Sequence, residues 1–327
     1  MPQENAPYNY PDGREYRQEE NGRYSVLDHG YLDVIRAWGS DQEIIESARM
    51  STDKGFLGWG PMCSHGCTFE HCSREHAPDE KLKAGDEGLL RYLYEHKHST
   101  PFEFAGLTIE VQAPIMVFRE WHRHRTQSYS EMSARYVQMP NLHYVPSVER
   151  IIASAKKSSN KQASGGGVLS LNAWQSEEEQ AKMIRGYISG EQQRVYSMYE
   201  QLLAFGVSKE IARLNTPVSR YSRMRATGNL RNWLAFLTLR MAPDAQFEIR
   251  QFAWCVASVV KEQFPRTYAL FNEGVKPILD PGSVDTPEKA FARGATVMRQ
   301  AFHTHGKLEE NDPLWEITIP EYQRSES

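Results

Sequence analysis

LTIEVQAPIMVFREWHRHR, residues 107 to 125, decides how the fold is read. Leu107, Ile109, Val111 and Ala113 alternate with Thr108, Glu110 and Gln112, a two-residue period that puts apolar side chains on one face of a strand. Pro114 ends the run and suits the first position of a helix carrying Ile115, Phe118 and the basic string REWHRHR, residues 119 to 125. Upstream, SVLDHGYLDVIRAW, residues 25 to 38, gives two short β-prone runs around the turn signal Asp28, His29, Gly30, consistent with a hairpin. Ser40 and Glu43 then form an SxxE capping box ahead of Ile44, Ile45 and Ala48, which predicts a helix ending near Arg49.

Further helices follow. Asp86 reads as an N-cap before Leu89, Leu90 and Leu93. A polar helix spans about Ser176 to Phe205, and a short one starting at Ser208 and Glu210 carries Arg213. Leu230, Trp233, Leu234, Leu237 and Met241 share one helical face, as do Ile249, Phe252, Ala253, Val256 and Val260, with the break near Pro243. Strands and helices do not alternate regularly, so the expected class is α+β: a single elaborated domain with a mostly antiparallel sheet packed against long helices. That domain is placed at residues 25–280, with inserted loops at about 53–85 and 153–175. A flexible extension is expected at residues 1–24 and a C-terminal extension at residues 281–327.

The 327 residues carry 38 basic and 42 acidic side chains, a net charge of −4 that argues against coating nucleic acid or an anionic membrane, so any anion site must be a local arginine cluster. There is no run of eighteen apolar residues and no signal-peptide pattern at the start, so the cytoplasm is the expected location. Of four cysteines, three fall in the first loop, where Cys63, His65, Cys67, His71, Cys72 and His76 could supply ligands to a structural zinc. The spacing weighs against that metal, because no CxxC pair is present and adjacent His71 and Cys72 rarely both ligate one ion. Reduced cytosolic thiols on a surface loop are the favoured reading. Cys255, inside an apolar helix, reads as a small buried hydrophobe.

The densest polar constellation is RHRTQSYSEMSARY, residues 123 to 136, with Arg123, His124, Arg125, Glu131, Ser133 and Arg135. Guanidinium groups match phosphate and carboxylate bidentately, and a nearby glutamate and serine can orient them; a solvated loop is the alternative. The string resembles the RHRxxSxNxxSxRY signature of the flavin-dependent thymidylate synthases, the thymidylate synthase complementing protein family. Ser130 stands where that family usually has Asn. HSTPFEF, residues 98 to 104, resembles its HxTPFEH element with Phe104 in place of the second histidine, and ARMS, residues 48 to 51, its ARxS element. EIAR, residues 210 to 213, and TGNLRNWLAFLTLRMAPDAQFEIR, residues 227 to 250, resemble its C-terminal half, with Ala235 and Asp244 where relatives often have Asn and His.

The resemblance implies a catalyst that makes dTMP from dUMP, with methylenetetrahydrofolate giving the carbon, FAD carrying electrons and NADPH as reductant. It further implies a homotetramer with sites shared between subunits. Residue by residue it assigns dUMP recognition to Glu120, Arg123, Glu131, Ser133, Ala134, Arg135, Arg213 and Arg240, and FAD contacts to Ser51, His98, Thr100, Glu103, Arg123, His124, Arg125, Asn229 and Arg231. Arg240, Ser133 and His98 are the implied catalytic group, Arg240 as the cation that polarises the pyrimidine and Ser133 as a positioning residue. Arg231 and Arg240, nine residues apart on one helix, point to different sides of it. Three alternatives remain: a flavin-dependent dUMP hydroxymethylase, a generic flavin reductase, and a metal-stabilised nucleic-acid-binding module.

Overall fold

Leu27, with φ 62°, turns the chain between β1 (Arg23–Val26) and β2 (Gly30–Trp38), the hairpin expected from the Asp28-His29-Gly30 signal. Gly30 is required at its end, because a Cβ there would lie 2.4 Å from the Val26 carbonyl oxygen. The computed structural model describes residues 22–63, 85–156, 165, 169 and 174–279, so most of both inserted loops and the two extensions lie outside the described residues. The expected strand is β3 (Gly106–Pro114), with Leu107, Ile109, Val111 and Ala113 fully buried. Two strands not expected from the sequence, β4 (Ser128–Glu131) and β5 (Tyr221–Asn229), complete an antiparallel sheet of order β1-β2-β3-β5-β4.

One face of the sheet is polar. Arg23 makes a two-point ion pair with Asp33 and lies over the Tyr31 ring, while Glu110 accepts from Tyr31 and pairs with Arg225. The other face carries Leu32, Ile109, Val111, Met224 and Ala226 into the core. α3 (Ile115–Trp121), α7 (Leu230–Arg240) and α8 (Phe247–Gln263) cover it, burying Phe118, Trp121, Trp233, Phe236 and Phe252. Each fully buried side chain of this size contributes about 1.5–3 kcal/mol. Cys255 is buried in α8, and burial alone pushes its thiol pKa well up, as a packing cysteine should behave.

α1 (Asp41–Arg49), α2 (Asp86–Glu95) and α9 (Pro265–Leu279) close the other end of the domain. Ser40 caps α1 by accepting from the Glu43 amide, the serine half of the expected box. α5 (Glu177–Ala204) has both halves at Ser176 and Glu179, and α4 (Val148–Ala155) is capped by Ser147. α6 (Lys209–Ala212) delivers Arg213 at the start of a 3₁₀ turn. No described helix is long and apolar enough to cross a membrane.

Three local readings are corrected. Pro114 is the N-cap of α3 rather than its first residue, since it still belongs to β3. α3 stops at Trp121, so Arg123 and Arg125 stand on a turn, exposed, and only His124 of that trio is buried. Asp86 does not cap α2; Gly85 does. Asp86 is instead fully buried, with one carboxylate oxygen paired to Arg49 and the other accepting from the amides of Leu57 and Gly58 at 2.6 and 3.1 Å. A buried carboxylate with four donors is a satisfied charge, and it fixes where the first inserted loop leaves the domain.

Candidate active site

The turn after α3 is held from several sides. His124 N donates to Trp121 O, and Gln127 N to His124 O. The Tyr129 hydroxyl, from β4, donates to the carbonyls of His124 at 2.6 Å and Trp121 at 3.1 Å, while Asn232 Nδ2 of α7 reaches the Thr126 carbonyl at 3.0 Å. This fixes the His124 ring edge-on to Phe236, 4.8 Å between centroids.

Arg240, in the last turn of α7, meets that ring. Its Nε donates to His124 Nε2 at 2.8 Å, Nη1 to Glu120 Oε2 at 2.9 Å, and Nη2 to the Glu120 carbonyl at 2.9 Å. Because arginine can only donate, His124 must present a lone pair at Nε2 and carry its proton on Nδ1. Burial, aided by the Arg240 charge, lowers the His124 pKa to about 4, so the ring is neutral near pH 7. Of five guanidinium N–H groups three are engaged, leaving two for a ligand. Glu120, assigned to the nucleotide by resemblance, thus sits on Arg240 itself.

At the opposite end of α7, Arg231 pairs with Glu103 at 2.6 Å. The two arginines of this helix thus pair with different carboxylates of the chain, Glu103 and Glu120. Asn229 spends its side-chain oxygen capping α7, accepting from the Asn232 amide at 3.0 Å. Ser51, His98 and Thr100 come together from separate segments around a cleft of about 340 Å³, also lined by Arg49, Leu89, Leu93 and Pro101. Phe104 is exposed beside Glu103.

The segment after β4 carries the remaining residues. Glu131 pairs in register with Met224 of β5, and the Met132 amide donates to the Arg223 carbonyl at 2.8 Å. Ser133 Oγ accepts from the Arg135 amide at 3.3 Å, the turn-serine role, and Arg135 is exposed over the Tyr136 ring. Ala134 is buried against Met139, Tyr196, Tyr199 and Ala212, which brings its loop next to the turn that holds Arg213. Ser130 lies exposed on β4, Ala235 is half-buried on α7, and Asp244 is exposed after it. Of the candidate metal ligands, Cys63 is buried, whereas His65, Cys67, His71, Cys72 and His76 lie outside the described residues. Among the described residues no group of three or more His, Cys, Asp or Glu side chains is arranged to hold a metal.

Sequence reasoning missed Tyr129, Gln127 and Asn232, the props of the His124 turn. It also missed buried Arg220 and His143, whose only signal is polarity next to the apolar positions of β5 and its partner.

Comparison with known proteins bears on what this geometry serves. The family described as thymidylate synthase complementing protein, Thy1, matches residues 33–266. A flavin-dependent thymidylate synthase of Thermus thermophilus is 36% identical over 76% of this chain and 77% of its own. One from Wolbachia pipientis wMel is 34% identical over 76% of each chain. Among solved structures, the UMP/dUMP methylase PolB from Streptomyces cacaoi bound with 5-Br dUMP superposes with a TM-score of 0.58 at 26% identity, covering 76% of this chain and 97% of that one. The same enzyme bound with 5-Br UMP gives 0.58 at 28%. The buried histidine, its arginine and the segments that hold them all fall inside the matched span, and the chain belongs to the thymidylate synthase complementing protein family, the flavin-dependent thymidylate synthases.

Proposed function

We propose that this protein converts dUMP to dTMP, taking the carbon from methylenetetrahydrofolate with FAD as redox cofactor and NADPH as reductant. The observation that carries the reading is the Arg240–His124–Glu120 cluster. A cation is held rigidly by a neutral imidazole and a carboxylate, with two N–H groups left over. Such a preorganised donor suits a uracil carbonyl that gains negative charge when its ring carbon acquires a substituent.

The residues present suit a flavin dinucleotide. Ser51, Thr100 and His98 offer exposed polar groups around one cleft, and Arg231 stands in the first turn of α7, where backbone amides favour anions. When bound, FAD supplies the reducing equivalents of the methylation. The chain's own residues bind and orient: Arg231 would meet the pyrophosphate, with Glu103 fixing the guanidinium, and His124 beside Phe236 would form a wall of the ring site. Arg123, Arg213 and Arg135 would hold the nucleotide. A cleft of about 340 Å³ is small for a dinucleotide plus a substrate. That supports a site completed by neighbouring subunits of a homotetramer, for which Val137, Phe205, Ile211, Leu214 and Val218 provide exposed apolar contact surface.

The deciding experiment is turnover of dUMP by purified FAD-loaded protein, with methylenetetrahydrofolate and NADPH supplied together and singly, followed by mass analysis of the nucleotide. dTMP forming only with both co-substrates is expected; a hydroxymethyl product would convert the reading to the hydroxymethylase. No product under aerobic or anaerobic conditions would sink it.

A further inference from the structure

Arg220 is nine-tenths buried at 8% exposure, yet its Nε and Nη1 have no hydrogen-bond partner. Burying an unsatisfied guanidinium is among the costliest placements a side chain can take, so a missing partner is to be expected. Two more orphaned polar atoms lie with it. His143 Nε2 is unpartnered on the residue bridged directly to Arg220, and Ser222 Oγ is unpartnered two positions along the chain, on β5.

The strand register shows what runs alongside these three residues. Glu131 and Met132 are joined to Met224 and Arg223, and further along the same edge Leu142 O accepts from Tyr221 N while Tyr144 N donates to Ser219 O. Both ends of the segment 133–141 are therefore stitched to β5 and the residues leading into it, and Ser222 and Arg220 lie between and at the seams. That segment begins with Ser133, Ala134 and Arg135. Burial lowers the pKa of Arg220, and the charges of Glu131 and Arg213 act on it in opposite senses, so both side chains are its electrostatic neighbours. Glu131 makes no ion pair with it. Two guanidiniums share one nearby carboxylate, and Nε and Nη1 of Arg220 make no hydrogen bond to any described residue.

Resting on the dUMP reading above, we infer that Arg220 is a substrate-binding residue: its unpaired Nε and Nη1, beside Arg213 and next to the strand edge along which the 133–141 segment runs, take the phosphate monoester of the nucleotide, with His143 and Ser222 completing the buried wall. A phosphate oxygen offers the planar, two-point acceptor that a guanidinium fork matches.

Binding of dUMP, deoxyuridine and inorganic phosphate to the FAD-loaded wild type and Arg220→Met tests this. In the wild type dUMP should bind much more tightly than deoxyuridine, with inorganic phosphate competing against dUMP. Arg220→Met should weaken dUMP about 30-fold or more, leave deoxyuridine within about 2-fold, and lose phosphate competition. Its nucleotide-free melting temperature should stay level or rise, because an uncompensated buried charge has been removed; a merely structural arginine would lower it. Arg220→Lys should recover part of the dUMP affinity. An unchanged dUMP-to-deoxyuridine ratio in a variant of a wild type that turns over dUMP overturns this assignment alone. A wild type indifferent to dUMP and to phosphate overturns it together with the proposed function. If Arg220→Met does not accumulate with flavin, the wild type crystallised with dUMP decides: phosphate about 3 Å from Nε or Nη1 supports the assignment, and water there with phosphate elsewhere overturns it.

Discussion

Arg240 Nε donates to His124 Nε2 across 2.8 Å, linking the last turn of α7 to the turn after α3 and fixing which ring nitrogen carries the proton. The side chain of Arg240 is only 15% exposed, so its orientation is set by these protein partners before any ligand arrives.

Replacing that fork is expected to damage chemistry more than binding. Arg240→Lys keeps the charge but cannot reach His124 Nε2, Glu120 Oε2 and the Glu120 carbonyl together. A fall in kcat of about 100-fold with flavin retained is expected, the scale of losing one preorganised donor. Single-turnover kinetics on the yellow variant check it; a change confined to KM would assign Arg240 to uniform binding instead.

The neutral histidine makes stability depend on pH. The pKa of His124 in the folded state, about 4, lies below the ordinary value near 6.5. Between these values the unfolded chain binds a proton that the folded chain refuses, so stability is full above about pH 6.5 and is lost as pH falls towards 4. His143, lowered by burial and by Arg220, acts in the same direction. Urea melts from pH 7 to 4 should show the loss, about 3 kcal/mol of it vanishing in His124→Gln. An identical pH slope in that variant would remove His124 from the account.

Asp86 offers a purely structural test. Asp86→Ala leaves Arg49 largely buried without its partner and two amides without an acceptor, which should cost about 3–5 kcal/mol in a denaturant melt. Because Arg49 lines the cleft with Ser51, His98 and Thr100, flavin retention should fall too. A loss below about 1 kcal/mol would mean the pair is hydrated.

The two arginine ends of the site should separate in the spectrometer. Arg231→Ala is expected to lose the flavin absorbance on gel filtration, while Arg213→Ala stays yellow and raises the dUMP concentration needed for half-maximal rate about tenfold or more. Equal flavin loss from both would show the roles to be wrongly divided.

Protein purified without a metal-affinity tag should contain sub-stoichiometric zinc on elemental analysis. One equivalent of zinc that disappears when Cys63 and Cys67 are replaced together would instead establish a metal centre in the first inserted loop.

Periodicity determined a good deal by itself. β3, α7 and α8 were legible because each buries one continuous face, and a repeat of two or 3.6 residues is visible without knowing what covers it. The candidate site residues were proposed from short strings, RHRTQSYSEMSARY above all, whose polar side chains are concentrated in sequence. β4 and β5 went unread for different reasons. β4 is four residues long and polar, so it owes its existence to pairing with a distant partner, whereas β5 does alternate, exposed Arg223 and Arg225 against buried Ser222, Met224 and Ala226, a short pattern that its pairing with β3 and β4 makes decisive. Tertiary structure alone decided that Asp86 binds Arg49 instead of capping a helix, that the Arg240 fork closes on His124 and Glu120, and that Arg220 and His143 are bridged to each other and buried. Each of these joins residues far apart in the chain, and the energy of a buried charge is set by which groups the fold brings to it, a quantity that no local stretch of sequence contains.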